Sequence, residues 1–86
     1  MKLHTLHVTI ISPVGTFQGY YGDPETSISE IIKKRDMLVS NLNSIGFLSI
    51  SSDAEEFTEL VIPHIMLKNS VIKFQLLEKE EPDYVQ

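Results

Sequence analysis

Cysteine is absent from this 86-residue chain, and with it go disulfides, thiolate metal sites and cysteine nucleophiles. Tryptophan is absent too, and alanine and arginine occur once each, as Ala54 and Arg35. No apolar run approaches the ~20 residues that a membrane helix needs. The opening MKLHTLHVTII alternates polar and apolar residues instead of holding a continuous apolar segment, which argues against a signal peptide and for a cytoplasmic protein. Glycine is scarce and scattered through turns, with no G-x-S-x-G, P-loop or dinucleotide fingerprint. No cofactor and no metal is expected, and nothing in the chain supports an enzyme.

Positive charge is also short. Seven Lys and Arg stand against twelve Asp and Glu, a net charge of −5. Direct nucleic-acid binding needs a basic surface and is disfavoured. The imbalance is local: residues 1–51 hold four acids and four bases, so the whole deficit falls in residues 52–86, with eight acids against Lys68, Lys73 and Lys79. Ten isoleucines beside the single alanine and arginine fit an AT-rich coding sequence, as in low-GC bacteria and their phages.

What is present is an apolar fraction of 42%, with four Phe and three Tyr. That suffices for one small core and leaves no room for a second, so residues 1–86 read as a single domain with an acidic tail at 79–86. Leu6, Val8 and Ile10 alternate with Thr5, His7 and Thr9 as in a half-buried strand over 3–11. SPVG at 12–15 turns the chain, and TFQGYYG returns it, with Phe17 and Tyr21 on one side and Gln18 and Tyr20 on the other. Gly19 inside that strand signals a bulge or a close backbone approach. Ser27 and Glu30 have capping-box spacing. Behind them Ile28, Ile31, Ile32, Leu38, Val39, Leu42 and Ile45 recur at helical spacing, with Gly46 at the place of an αL cap. The spacing predicts one amphipathic helix over 28–45. Strands follow at 47–51, 57–62 and 71–78. The order β-β-α-β-β-β is an α+β fold, one helix packed on a mostly antiparallel sheet, with a small all-β barrel as the alternative.

The stretch ELVIPHIMLKNSVIKF places a Pro-His pair inside the densest apolar run. No Asp, Glu or Cys stands at ligand spacing from His64, so the reading is a corner: Pro63 ends a strand, Ile65, Met66 and Leu67 plug the core, and His64 faces out. Lys33, Lys34 and Arg35 form the one basic cluster and read as a solvated helix face. Phe17, Tyr20 and Tyr21 make an aromatic patch, the best pointer to a contact surface because tyrosine gives area at little rotamer cost. Glu55 and Glu56 in one loop, and Glu80, Glu81 and Tyr84 near the C-terminus, complete the candidate partner-binding residues.

The leading functional expectation is a non-enzymatic protein-interaction module, a small adaptor or inhibitor such as a phage or mobile element uses against a host protein. Its partner is another protein or a second copy, as a homo-oligomer. One alternative is an acidic decoy of a nucleic-acid-binding protein, for which a net of −5 is thin. Others are a self-assembling structural protein and a small-ligand binder at the corner 63–69.

Overall fold

The computed structural model describes residues 2–80. Strand β1 (Lys2–Ser12) turns through Pro13 and Val14 into β2 (Gly15–Tyr20). The Ser12 hydroxyl fastens this turn, donating to the Gly15 carbonyl at 2.8 Å and accepting from the Val14 amide at 3.3 Å. Helix α1 (Ile28–Ser40) follows, then β3 (Phe47–Ser52), β4 (Glu59–Pro63), a single helical turn α2 (His64–Leu67) and β5 (Val71–Glu80). The strands form one antiparallel sheet in the order β4-β3-β2-β1-β5. The fold is therefore α+β, and the sheet is open, which overturns the closed-barrel alternative.

Strand periodicity gives the sheet two unlike faces. Leu6, Val8 and Ile10 of β1 are at most 1% exposed and share one cluster with Leu48, Ile50 and Ile62 of the β3–β4 hairpin. Ile31 and Leu38 of α1 and Leu67 of α2 enter the same cluster, so both helices lie on this inner face. Thr5, His7, Thr9 and Ile11 point the other way, beside Gln75, Lys73 and Val71 of β5 and Tyr20 and Gln18 of β2.

Strands β2 and β3 meet at two residue pairs only, Gly19 with Ser52 and Tyr20 with Ser51. The reason is a constraint on reach. The register sets Pro63 four residues below the level of His7, at Leu3, while Val71 stands opposite Ile11. In a flat sheet the link from β4 to β5 would span ~19 Å across four strand spacings and ~27 Å along the strands, about 33 Å in all. The eight Cα steps from Pro63 to Val71 include the turn of α2 and reach only ~20 Å. The β3–β4 hairpin must therefore swing over the inner face, and the β2–β3 joint is its hinge line. The Gly46 carbonyl accepts from the His64 amide at 3.0 Å where β3 begins and β4 ends.

Helix α1 stops five residues short of the 28–45 expectation. The Asn41 side chain donates to the Met37 carbonyl at 2.8 Å, and residues 41–44 form a turn. A short amide that bonds the backbone competes with the helical ladder. Leu42 and Ile45 still pack on the core from that turn, which is why the apolar pattern outlasts the helix. Gly46 is not in the left-handed region, and the capping box does not form: Ser27 bonds the Ser29 hydroxyl while Glu30 faces Lys33 at 3.8 Å. Phe57 and Thr58 belong to the β3–β4 loop and not to β4, and β5 runs on through Glu80.

Candidate functional site

After Tyr20 the chain stays with β1 for one more bond, Tyr21 N–H donating to the Leu6 carbonyl at 2.9 Å. It rejoins at Glu25, which exchanges two backbone bonds with His4 at 2.7 and 2.9 Å. Between these points Gly22, Asp23 and Pro24 stand opposite Thr5 alone, and the surplus bulges outward. Gly22, at φ 75°, takes the left-handed conformation that glycine adopts without strain. Lys34 on α1 holds the bulge, donating to the Asp23 carbonyl and to Glu25 Oε1, each at 3.0 Å.

The bulge walls a cleft of about 550 Å³ on the outer face. Leu3, Leu77 and Pro24 give it apolar sides, Thr5 and Ser51 hydroxyls, Tyr20 an aromatic ring, Asp23 a carboxylate and Lys79 an ammonium group. That volume lies within the range of ligand-sized sites. On the opposite, inner face Glu78 receives Lys2 at 3.0 Å, and this hydrogen bond, with the charges of Glu78 and Glu80, holds the Lys2 ammonium above its ordinary value. The Asp23 carboxylate has no partner among the described residues.

Beside the cleft His7 is buried although it belongs to the outer face. Its Nε2 meets Asp53 Oδ2 at 2.8 Å, and its ring lies edge-on to Tyr20, with centroids 5.2 Å apart and planes at 72°. With its ring largely enclosed, this imidazole offers little surface for proton transfer to a substrate. The pair acts as a tie, fastening the β3–β4 loop across β2 and fixing one side of Tyr20. A T-shaped pair occupies at most one face of either ring, so a face of Tyr20 stays free of His7.

The expected contact residues are not brought together. Phe17 and Tyr21 pack against the inner core, whereas Tyr20 lies on the outer face at the cleft. Glu55 and Glu56 are exposed in the β3–β4 loop, while Glu80 sits at the far end of β5, six residues of β1 away from the level of Ser52 or roughly 20 Å. Glu81 and Tyr84 lie outside the described residues. The basic cluster is matched internally, Lys33 with Glu30, Lys34 with Glu25 and Arg35 with Asp36.

His64 corrects the expectation of an outward-facing ring. Pro63 does end β4 and a helical turn does follow, but the His64 Nδ1 is buried and has no hydrogen-bond partner. Leu67 and Met66 plug this corner, whereas Ile65 is 71% exposed. A second residue that the pattern of the sequence concealed is Phe57, fully exposed at φ 57° between Glu56 and Thr58, an unusual conformation for a bulky side chain. Among the described residues no group of three or more His, Cys, Asp or Glu is placed to hold a metal, and no helix is long and apolar enough to cross a membrane.

A scan against protein-family models and searches of curated proteins and solved structures find no match to this chain.

Proposed function

We propose that the protein is a non-enzymatic protein-interaction module, of the adaptor or inhibitor kind, that docks a partner protein on the outer face of its sheet. The observation that carries this reading is the bareness of that face. Both helices pack on the inner side, while Ile11, Phe47, Val61 and Val71 stand 47%, 59%, 59% and 64% exposed on the outer. Ile11 and Val71 stand together at one end of this face, and Phe47 and Val61 at the other, up to ~27 Å away along the strands, two exposed apolar pairs of the kind that contact surfaces use. No further strand pairs with β4 or β5 among the described residues, so a partner strand has an edge to extend. A net charge of −5 sets two copies against each other and favours a separate, basic partner.

The test compares the tagged protein with Phe47→Asp on the outer face and Ile65→Asp on α2, both at exposed positions, in capture from a nuclease-treated bacterial lysate. A stoichiometric basic protein retained by the parent and by Ile65→Asp but lost by folded Phe47→Asp supports the reading. Capture indifferent to Phe47→Asp removes the outer face from it. A parent that captures nothing and sediments as a dimer replaces the reading with self-assembly.

A further inference from the structure

We propose that the corner between the 41–44 turn, α2 and β5 is a binding site for a small aliphatic carboxylate. Leu42, Leu67 and Ile72 line a pocket of about 270 Å³ there, with Asn43, His64 and Lys68 as its polar members. Ile72 stands opposite Ile10 on the inner face, and Leu42 and Leu67 belong to the same core. Lys68 caps α2 with helical backbone angles, so His64, Leu67 and Lys68 fall at positions i, i+3 and i+4 and share one face. Leu42 and Asn43 close the pocket from the turn. The pocket belongs to the inner side of the sheet and stands apart from the outer-face reading.

The sign of the site follows from the segments that wall it. Residues 37–52 and 60–77 contain no Asp or Glu, in a chain that has twelve. Lys73 points to the outer face beside Thr9, so Lys68 is the cation left to this pocket. Neither its ammonium nor the Asn43 carboxamide has a partner among the described residues. His64 adds a third donor. Its Nδ1 is enclosed and unpaired, and a buried N–H without an acceptor is rarer than an acceptor left bare. The ring proton is therefore assigned to the accessible Nε2. One ammonium and two neutral N–H donors match a single carboxylate, while Leu42, Leu67 and Ile72 take an apolar tail. A phosphate group carries about −1.5 to −2, more than one lysine neutralises, and leaves those apolar side chains unused. The volume, just under the ~300 Å³ at which ligand pockets commonly begin, keeps the tail short.

The experiment is a heteronuclear NMR titration of the full chain, at fixed pH and ionic strength, with four probes. These are hexanoate, its neutral counterpart hexanamide, acetate, which lacks the tail, and inorganic phosphate. Saturable shifts centred on Asn43, His64, Leu67, Lys68 and Ile72 are expected with hexanoate. Hexanamide should bind at least about tenfold more weakly, as loss of a charged hydrogen bond implies, and acetate more weakly too, having no tail to bury. Lys68→Met keeps the stem and removes the charge at an exposed position. It should fold as the parent does and bind hexanoate about tenfold more weakly, while Lys68→Arg retains binding. Hexanamide bound as tightly as hexanoate, full binding by Lys68→Met, shifts centred elsewhere, or no shift at millimolar hexanoate overturns the assignment. Phosphate bound at these residues more tightly than hexanoate overturns it as well, in favour of a phosphate site.

Discussion

Adding one methyl group at Gly19 tests the hinge on which the sheet bends. A Cβ built there collides with the Ser51 carbonyl oxygen, lies 3.0 Å from the Ser51 carbonyl carbon, and meets Ile50 Cδ1 at 3.2 Å. The first two are backbone atoms, and no rotamer change relieves them. Gly19→Ala therefore either opens the joint, losing the bonds of its two residue pairs at ~1 kcal/mol each, or keeps it under an overpacking strain of about 1–3 kcal/mol. By either route the loss is about 1–3 kcal/mol. That is a substantial share of the roughly 4–13 kcal/mol expected for a domain of this size, and it lowers the melting midpoint by about 5–20 °C. Gly46→Ala is the control, because nothing lies within 4 Å of its added Cβ and its φ is ordinary. It should be neutral or stabilising by up to ~1 kcal/mol. Urea and thermal unfolding followed by far-UV circular dichroism suit a chain without tryptophan. Two variants melting within a degree or two of each other would refute the account of the joint.

Three further substitutions probe the parts around it. Lys34→Met removes the two 3.0 Å bonds that hold the bulge; with the pair partly solvated the loss is about 1 kcal/mol, and faster amide exchange at Glu25 and His4 is its local sign. Asp53→Ala leaves His7 without its carboxylate at a loss of about 1–3 kcal/mol, and disappearance of the His7–Tyr20 ring contacts in NMR spectra accompanies it; unchanged contacts mean that the pair positions nothing. His64→Leu replaces a ring with an orphaned buried nitrogen, so stability should hold or rise by about 1 kcal/mol; a loss greater than that would show that Nδ1 has a partner in solution.

The sheet and helix were legible because their signals are local. Leu6, Val8 and Ile10 announce a strand and Ile31 with Leu38 a helix face wherever the rest of the chain goes. Phe17 and Tyr21 opposite Tyr20 likewise followed from a period of two. The end of the helix was not legible, because Leu42 and Ile45 remain apolar for the core whether a helix or a turn carries them. His7 read as a polar-side strand residue; its burial comes from Asp53, 46 residues away, and from Tyr20. The cleft was hidden for the same reason. Its walls come from Leu3, Thr5, Tyr20, residues 22–24, Ser51 and residues 77–79, and only the sheet order brings those segments to one place. Asp23 and Pro24 in GDPET carried a turn signal, but no rule of composition tells a turn that ends a hairpin from a bulge that interrupts it.

The bulge also decides how the site can be erased without harming the fold. Two irregularities bracket Tyr20, the Gly19 joint above and Gly22–Asp23–Pro24 below, and an ideal ladder at this place would leave no cleft. Replacing Gly22–Asp23–Pro24 with a single threonine puts one residue opposite Thr5 and lets the pairing run unbroken from Leu6 to His4. The repaired ladder gains about 1 kcal/mol of backbone bonding, which roughly offsets the loss of the Lys34 bond to the Asp23 carbonyl. Stability should stay within about 1 kcal/mol of the parent, and amide protection at His4–Leu6 should rise. A repaired chain that folds without that added protection would show that residues 22–24 do not interrupt this ladder. A bulge that weakens pairing yet shapes a site is of the kind that natural sheets keep for use.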